Sequence, residues 1–290
     1  MTAIGADQAA RPSPTATLNG GAARRGPLAE AAWSALGTVR DPELDEPLTD
    51  LGFVERCEVD AAGRALVRLR LPTYFCAPNF AFLMVADAYD AVVAVPGIRE
   101  ADVRLLDHFA ADAINQGVAA RAGFVASFEG EAVDELDELR ANFLRKAVYA
   151  GTDRVVRAMG AAGDPARLAG LTLGDAPAGS DRERLRARRR ELGLPAGDGD
   201  PLLVDPGTGR PITSGEVRGH LGLARLTRTS QEANSGVCRG MLHVRYPHID
   251  ARGPHIDARG PHVALRDGGA SAEEDRSGAG VPQSTEEGRP

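Results

Sequence analysis

Cys76 is the residue whose setting best suits chemistry. It lies in Leu71-Pro72-Thr73-Tyr74-Phe75-Cys76-Ala77-Pro78-Asn79-Phe80, between a strand-like run at 67–71 and an amphipathic helix pattern. Pro78 suits the first turn of that helix. The unbonded amides and positive end of a helix stabilise anions, which favours a thiolate at this point. A thiolate binds metal or attacks an electrophile. Cys57 and Cys238 lie far away in sequence. Three scattered cysteines with no C-x-x-C make neither a disulfide framework nor a zinc knuckle, and they read as reduced thiols of a reducing compartment. Cys57 falls on the inward face of a strand and reads as a small core residue. Cys238 and His243 lie among glycines, and His108 closes a strand at the end of the sheet where Cys76 is expected. All three are weaker metal candidates, with ordinary burial or surface exposure as the alternative.

The elements that must position these residues are legible from periodicity. A helix is predicted from Leu28, with Ala32, Leu36 and Val39 on one face beside Trp33, ending near Asp41-Pro42. The acidic, proline-bounded loop at 41–47 reads as a capped, solvated turn in preference to a metal loop. Residues 51–59 read as a strand with Phe53, Cys57 and Val59 on one face and Glu55 out of pattern. After a turn at 60–63, Val67, Leu69 and Leu71 alternate with Arg68 and Arg70 to complete an antiparallel hairpin with one wet face. Beyond Cys76, Phe80, Leu83, Met84, Ala88 and Ala91 form a helical stripe with Asp87 and Asp90 at its edge. Val95-Pro96-Gly97 is a turn, and 98–105 a further strand with Ala101, Val103 and Leu105 inward. The order helix, strand, strand, helix, strand predicts an α+β fold, a small two-layer helix/antiparallel-sheet domain over 28–108.

A mainly helical extension is expected over 109–246. Residues 109–130 read as loop. A helix follows at 131–150, with Leu136, Leu139, Phe143 and Ala147 in a stripe and Gly151 as its stop. Thr152-Asp153 caps a short successor that ends at Gly160. Residues 180–192 form a second helix carrying Arg182, Arg184, Arg186, Arg188, Arg189 and Arg190. Without interleaved aromatics, and in an acidic chain, this run reads as a solvated face rather than a nucleic-acid site. Residues 201–209 read as a short strand and turn. Residues 1–27 and 247–290 lack the composition to bury a core and read as disordered. The second of these tails repeats Pro-His-Ile-Asp-Ala-Arg-Gly twice. Its His248, His255 and His262 suggest weak metal capture, though a duplicated stretch of coding DNA explains the repeat more simply.

The composition excludes several classes. A formal charge of −7 over 290 residues argues against a general nucleic-acid binder. No apolar run spans a bilayer, and the N-terminus lacks the layout of a secretion signal, so a cytoplasmic protein is expected. Lys146 stands alone as the chain's lysine with no glycine-rich loop before it. A phosphate-binding P-loop needs that lysine, so no nucleotide is expected.

With these pieces in order, the chain resembles the iron–sulfur cluster assembly domain shared by SufT-like and PaaD-like proteins. The resemblance rests on Asp41-Pro42-Glu43, on Asp50-Leu51-Gly52-Phe53-Val54, on Thr73 followed by Cys76, and on Pro96-Gly97-Ile98. It covers less than a third of the chain. The family usually places glycine just before the cysteine and proline just after it, whereas this chain has Phe75 and Ala77, with Pro78 one step later. A bulky Phe75 is expected to narrow access to the thiol. The resemblance implies a metal-handling role for Cys76, with Thr73 beside it, a transient iron–sulfur cluster, and partners among the assembly machinery or a client apo-protein. PaaD-like kinship extends the clients to multicomponent oxygenases, and a homodimer is an open option.

Three functions follow. The first is a non-enzymatic assembly factor in which Cys76 binds and releases metal. Clusters normally take four ligands, so Cys238, His108, a second subunit or a small thiol would complete the set. The second is a thiol enzyme with Cys76 as nucleophile and His108 as base. Asp107, next to His108 on a strand, points the other way and is badly placed to orient it. The third is an adaptor subunit that needs no reactive thiol.

Overall fold

A computed structural model describes residues 26–130, 132, 134–160 and 164–247. The expectations for residues 1–25, and for the repeat and tail from 248 onward, lie outside them. Helix α1, Pro27–Leu36, starts on a proline and turns Ala32 and Leu36 fully inward. The short α2, Leu48–Leu51, ends at Gly52, whose φ of 77° is the left-handed cap that glycine adopts without strain. Strands β1, Val54–Val59, and β2, Arg64–Leu69, pair antiparallel. Asp60 ties their turn, its Oδ1 accepting the N–H groups of Ala62 and Arg64 at 2.9 Å each. Glu55 is out of pattern because the register shifts between Val54 and Arg56, so Val54 and Cys57 both point inward.

Helix α3, Pro78–Val93, crosses over the sheet and delivers β3, Glu100–Leu105, alongside β2. The α+β class and the helical extension are as the sequence predicts. The sheet, however, is mixed, in the order β1-β2-β3, and only the hairpin is antiparallel. β3 runs parallel to β2 because a helical crossover returns the chain in the direction it left. α3 also buries more than one stripe: Ala81, Phe82, Leu83, Met84, Val85, Ala88 and Val92 are all inward. The sheet covers one side, and the extension covers another through Phe143, which meets Phe80 edge-on at 4.9 Å. A bidentate pair from Arg140 to Asp87, at 2.7 Å per bond, fastens the same contact.

Between β3 and residue 200 the extension departs from its sequence reading in three places. Residues 109–130 are not loop; they form α4, Ala111–Ala120, and α5, Gly123–Ser127. Ile114 and Val118 bury one face of α4, and Asn115 brackets the backbone of Leu105 with bonds of 2.8 and 3.0 Å, too short an apolar pattern to register as periodicity. Helix α6, Asp137–Ala158, runs through Gly151 without a break. A Cβ there would lie 3.3 Å from Leu185, so the glycine serves close approach of a neighbouring helix instead of a stop. Thr152 is accordingly mid-helix, its hydroxyl on the carbonyl of Val148 at 2.8 Å. After α7, Pro165–Ala169, the third departure is α8, Ser180–Glu191, whose arginines are not a solvated face. Arg189 is fully buried and donates to the carbonyls of Pro201, at 2.8 Å, and Leu202. Arginines at nearly every second position are spread right round a helix, so a packed helix must bury some of them.

The run at 201–204 is buried but makes only single bridges, Thr172 with Pro201 and Val204 with Pro211. Helix α9, Val217–Arg245, then runs back along α6. Its lower end joins a second hydrophobic cluster with Val148, Val155, Leu185 and Leu202, while Leu242 at its upper end enters the core of the sheet domain. No described helix is long and apolar enough to cross a membrane.

Candidate functional site

Cys76 sits just ahead of α3, with Ala77 as the capping residue and Pro78 as the first helical one. It is half-buried. The Thr73 hydroxyl lies 3.3 Å from its sulfur, and the same hydroxyl accepts the N–H of Phe75, which folds the loop into a tight turn. His108 holds the loop from the far side. Its Nδ1 accepts the N–H of Ala110 at 3.1 Å, so Nε2 carries the proton and donates to the carbonyl of Cys76 at 2.7 Å. Burial pushes the imidazole pKa down, so the ring is held neutral. Both nitrogens are thus committed to backbone, which makes His108 a brace for the thiol loop.

The extension closes over this end of the sheet. Arg245, at the end of α9, donates to the carbonyl of Leu71 at 3.1 Å and to that of Asp107 at 2.5 Å, spanning the loops that leave β2 and β3. Tyr246 adds a bond to the Asp107 carboxylate at 3.0 Å and lies under the Arg70 guanidinium. One turn back, Leu242 packs against Gly52, where a Cβ would come within 3.3 Å. Arg239 donates to the carbonyl of Asp50 and to Glu46. Gln231 donates to the carbonyl of Glu43 at 3.0 Å, and Asn234 reaches its carboxylate at 3.3 Å. The motif residues Glu43, Asp50 and Gly52 therefore all meet one helix. Pro96 and Gly97 sit elsewhere, in the turn before β3, with Gly97 at φ 98°.

Cys238 lies on the same inward side of α9. Burial, then the charges of Asp41, Cys76 and Glu43, push its thiol up to about 11. Cys76 and Cys238, 162 residues apart in sequence, both pack against the core of the sheet domain. His243 does not join them. It is exposed, and five residues along a helix turn it about 140° from Cys238. Glycines 236 and 240 hid this helix at the level of sequence, and with it the spacing of Gln231, Asn234 and Arg239.

The 41–47 loop is capped, as expected, but not solvated. Asp41 is buried, and its Oδ1 accepts the N–H groups of Glu43 and Leu44 at 2.9 and 2.8 Å. Burial raises its carboxyl to about 6, against the pull of those two amides. Asp45, only 3% exposed, holds the loop to α8: Arg184 and Arg188 each reach its carboxylate at 2.7 Å, with Arg154 at 3.7 Å and Arg40 at 3.9 Å.

Outside the thiol loop the surface is aromatic. Phe75 is 76% exposed and meets Tyr74 edge-on at 5.0 Å and Phe109 at 5.9 Å. Phe109 in turn stacks on His108 at 4.9 Å. Among the described residues, no three His, Cys, Asp or Glu side chains are grouped to hold a metal ion. The thiol loop offers a sulfur, a hydroxyl and an apolar approach.

Residues 29–105 match the family model described as iron-sulfur cluster assembly protein. No curated protein matches the chain. The match spans α1 to β3 and includes Cys76, Thr73 and the 41–43 motif, and it supports a role in iron–sulfur cluster assembly. α4 to α9 lie beyond it.

Proposed function

We propose that the chain is a non-enzymatic assembly factor for iron–sulfur clusters or a related iron centre, akin to SufT-like and PaaD-like proteins. Cys76 is the sulfur that takes up and hands on the metal, and Cys238 is a second sulfur supplied by the extension. The reading rests on Cys76 at the head of α3, with the Thr73 hydroxyl 3.3 Å from its sulfur, and on Cys238 packing against the same core. Two protein sulfurs are half of what a cluster takes. The remainder is left to a client apo-protein or a small thiol, which suits transient carriage in a reducing compartment. A component of a multicomponent oxygenase is a fitting client under this kinship. A thiol-enzyme role is disfavoured, because catalysis by Cys76 needs a neighbouring base and His108 has both nitrogens engaged.

An adaptor reading has its own support in the exposed Tyr74, Phe75 and Phe109 group, a surface suited to docking a protein. Anaerobic reconstitution with ferrous iron and sulfide separates the two. The assembly reading expects visible charge-transfer absorption in the wild type, loss of it in Cys76→Ser, and weaker or less durable bands in Cys238→Ser. A wild type without such bands, or a Cys76→Ser that keeps them, would overturn the metal role and leave the adaptor.

A further inference from the structure

α9 packs one side on α6 and, among the described residues, leaves the other bare. Along the bare side, residues 223, 226, 230, 233, 237, 240 and 244 recur at alternating steps of three and four, the spacing of a helix-pairing seam. No charged residue occupies it. Leu223, Leu226, Val237 and Val244 are exposed there, the last by 80%, with Ser230, Ala233 and Gly240 between them and Met241 beside. Gly219, Gly222, Gly236 and Gly240 have nothing within 4 Å of where a Cβ would stand. Each weakens the helix, and no packing within the described chain requires it.

We propose that this face is the interface of a homodimer, in which α9 pairs antiparallel with α9 of a second copy. An antiparallel partner centred near Ala233 sets Leu223 against the partner's Val244, Leu226 over the partner's Gly240 and beside the partner's Met241, and Ser230 against the partner's Val237. Such self-complementarity is what an isologous two-fold contact requires. An open groove of about 500 Å³ between Pro72 and Val237, Gly240, Met241 and Val244 lies where the partner's Leu223 and Leu226 would enter. The apolar surface exposed on two such faces is on the order of 1,000 Å², the scale at which specific interfaces begin. Gly240, on the seam, lets the two backbones approach closely there. The groove adjoins the loop that carries Cys76, so pairing would bring a second subunit beside each thiol.

Sedimentation velocity on the full-length protein tests the proposal. A dimer is expected, and Leu226→Glu or Val237→Glu should weaken association by more than about tenfold, while circular dichroism stays unchanged because both side chains are exposed. The double variant Leu223→Cys/Val244→Cys then reads the register after mild oxidation. Its two new thiols stand about 32 Å apart on one helix and cannot join within a chain. Peptides linked 223 to 244 between chains are expected. A monomeric wild type, as when residues 248–290 or another protein cover the face, overturns the proposal. So does a dimer indifferent to both glutamates, and so do links of 223 to 223 and 244 to 244.

Discussion

The carbonyl of Cys76 and Nε2 of His108 are joined by a 2.7 Å hydrogen bond across 32 residues, and the other ring nitrogen holds the backbone of Ala110. One neutral imidazole thus staples the thiol loop to the segment leaving β3. His108→Ala should leave a carbonyl and an amide without their partner, at a cost of about 1–3 kcal/mol in urea denaturation. It should also speed alkylation of Cys76, since the loop loses its brace. Unchanged stability and unchanged Cys76 reactivity together would contradict this role.

Asp45 neutralises a cluster of arginines drawn from three segments of the chain. Asp45→Asn keeps the shape, and tolerates its φ of 52°, but strands Arg184 without a counter-charge and leaves Arg188 only Glu191. Removing one partner of a buried ion pair typically costs about 3–5 kcal/mol. The expected outcome is a loss of that order in equilibrium unfolding, with α8 undocking first in hydrogen exchange. A loss below about 1 kcal/mol would mean that the arginines find water instead.

Two kinds of buried group pull the pH dependence in opposite directions. Asp41 holds its proton more tightly folded than unfolded, so its contribution is present below its unfolded value near 3.8 and is lost as pH rises through about 6. His108 and His220 are pushed down by burial, so their contribution is present above 6.5 and is lost as pH falls below it. Asp41→Asn should therefore stabilise the protein at pH 8 by up to roughly 2–3 kcal/mol, with the advantage fading towards pH 4. Denaturation midpoints of both proteins across that range provide the check.

The Cys238 thiol, held at about 11, should react slowly with iodoacetamide at neutral pH and accelerate only in strong base. Asp41 is the largest of the charges acting on it, so Asp41→Asn should move the midpoint down. Mass spectrometry of the alkylated peptide separates Cys238 from the other two cysteines. Fast alkylation at pH 7 would place the thiol in water and remove it from the neighbourhood of Asp41 and Cys76.

The sequence by itself determined what depends on near neighbours. Alternation at Val67, Leu69 and Leu71 marked a strand, Pro78 marked a helix start, and Cys76 between them was legible as the thiol worth testing. These are effects of side-chain period and backbone stiffness, which act over a few residues. Tertiary structure decided the rest, because it turns on what each segment meets. Gly151 lies within a helix because Leu185 approaches there, and the arginines of α8 are buried because Asp45 and the carbonyls of Pro201 and Leu202 receive them. The crossover through α3 set β3 parallel. Above all, Cys238 reached the core against which Cys76 also packs because α9 docks along α6 and across the acidic loop. Long-range packing and buried charge pairing choose among local options, and a single chain of residue types carries no direct record of that choice.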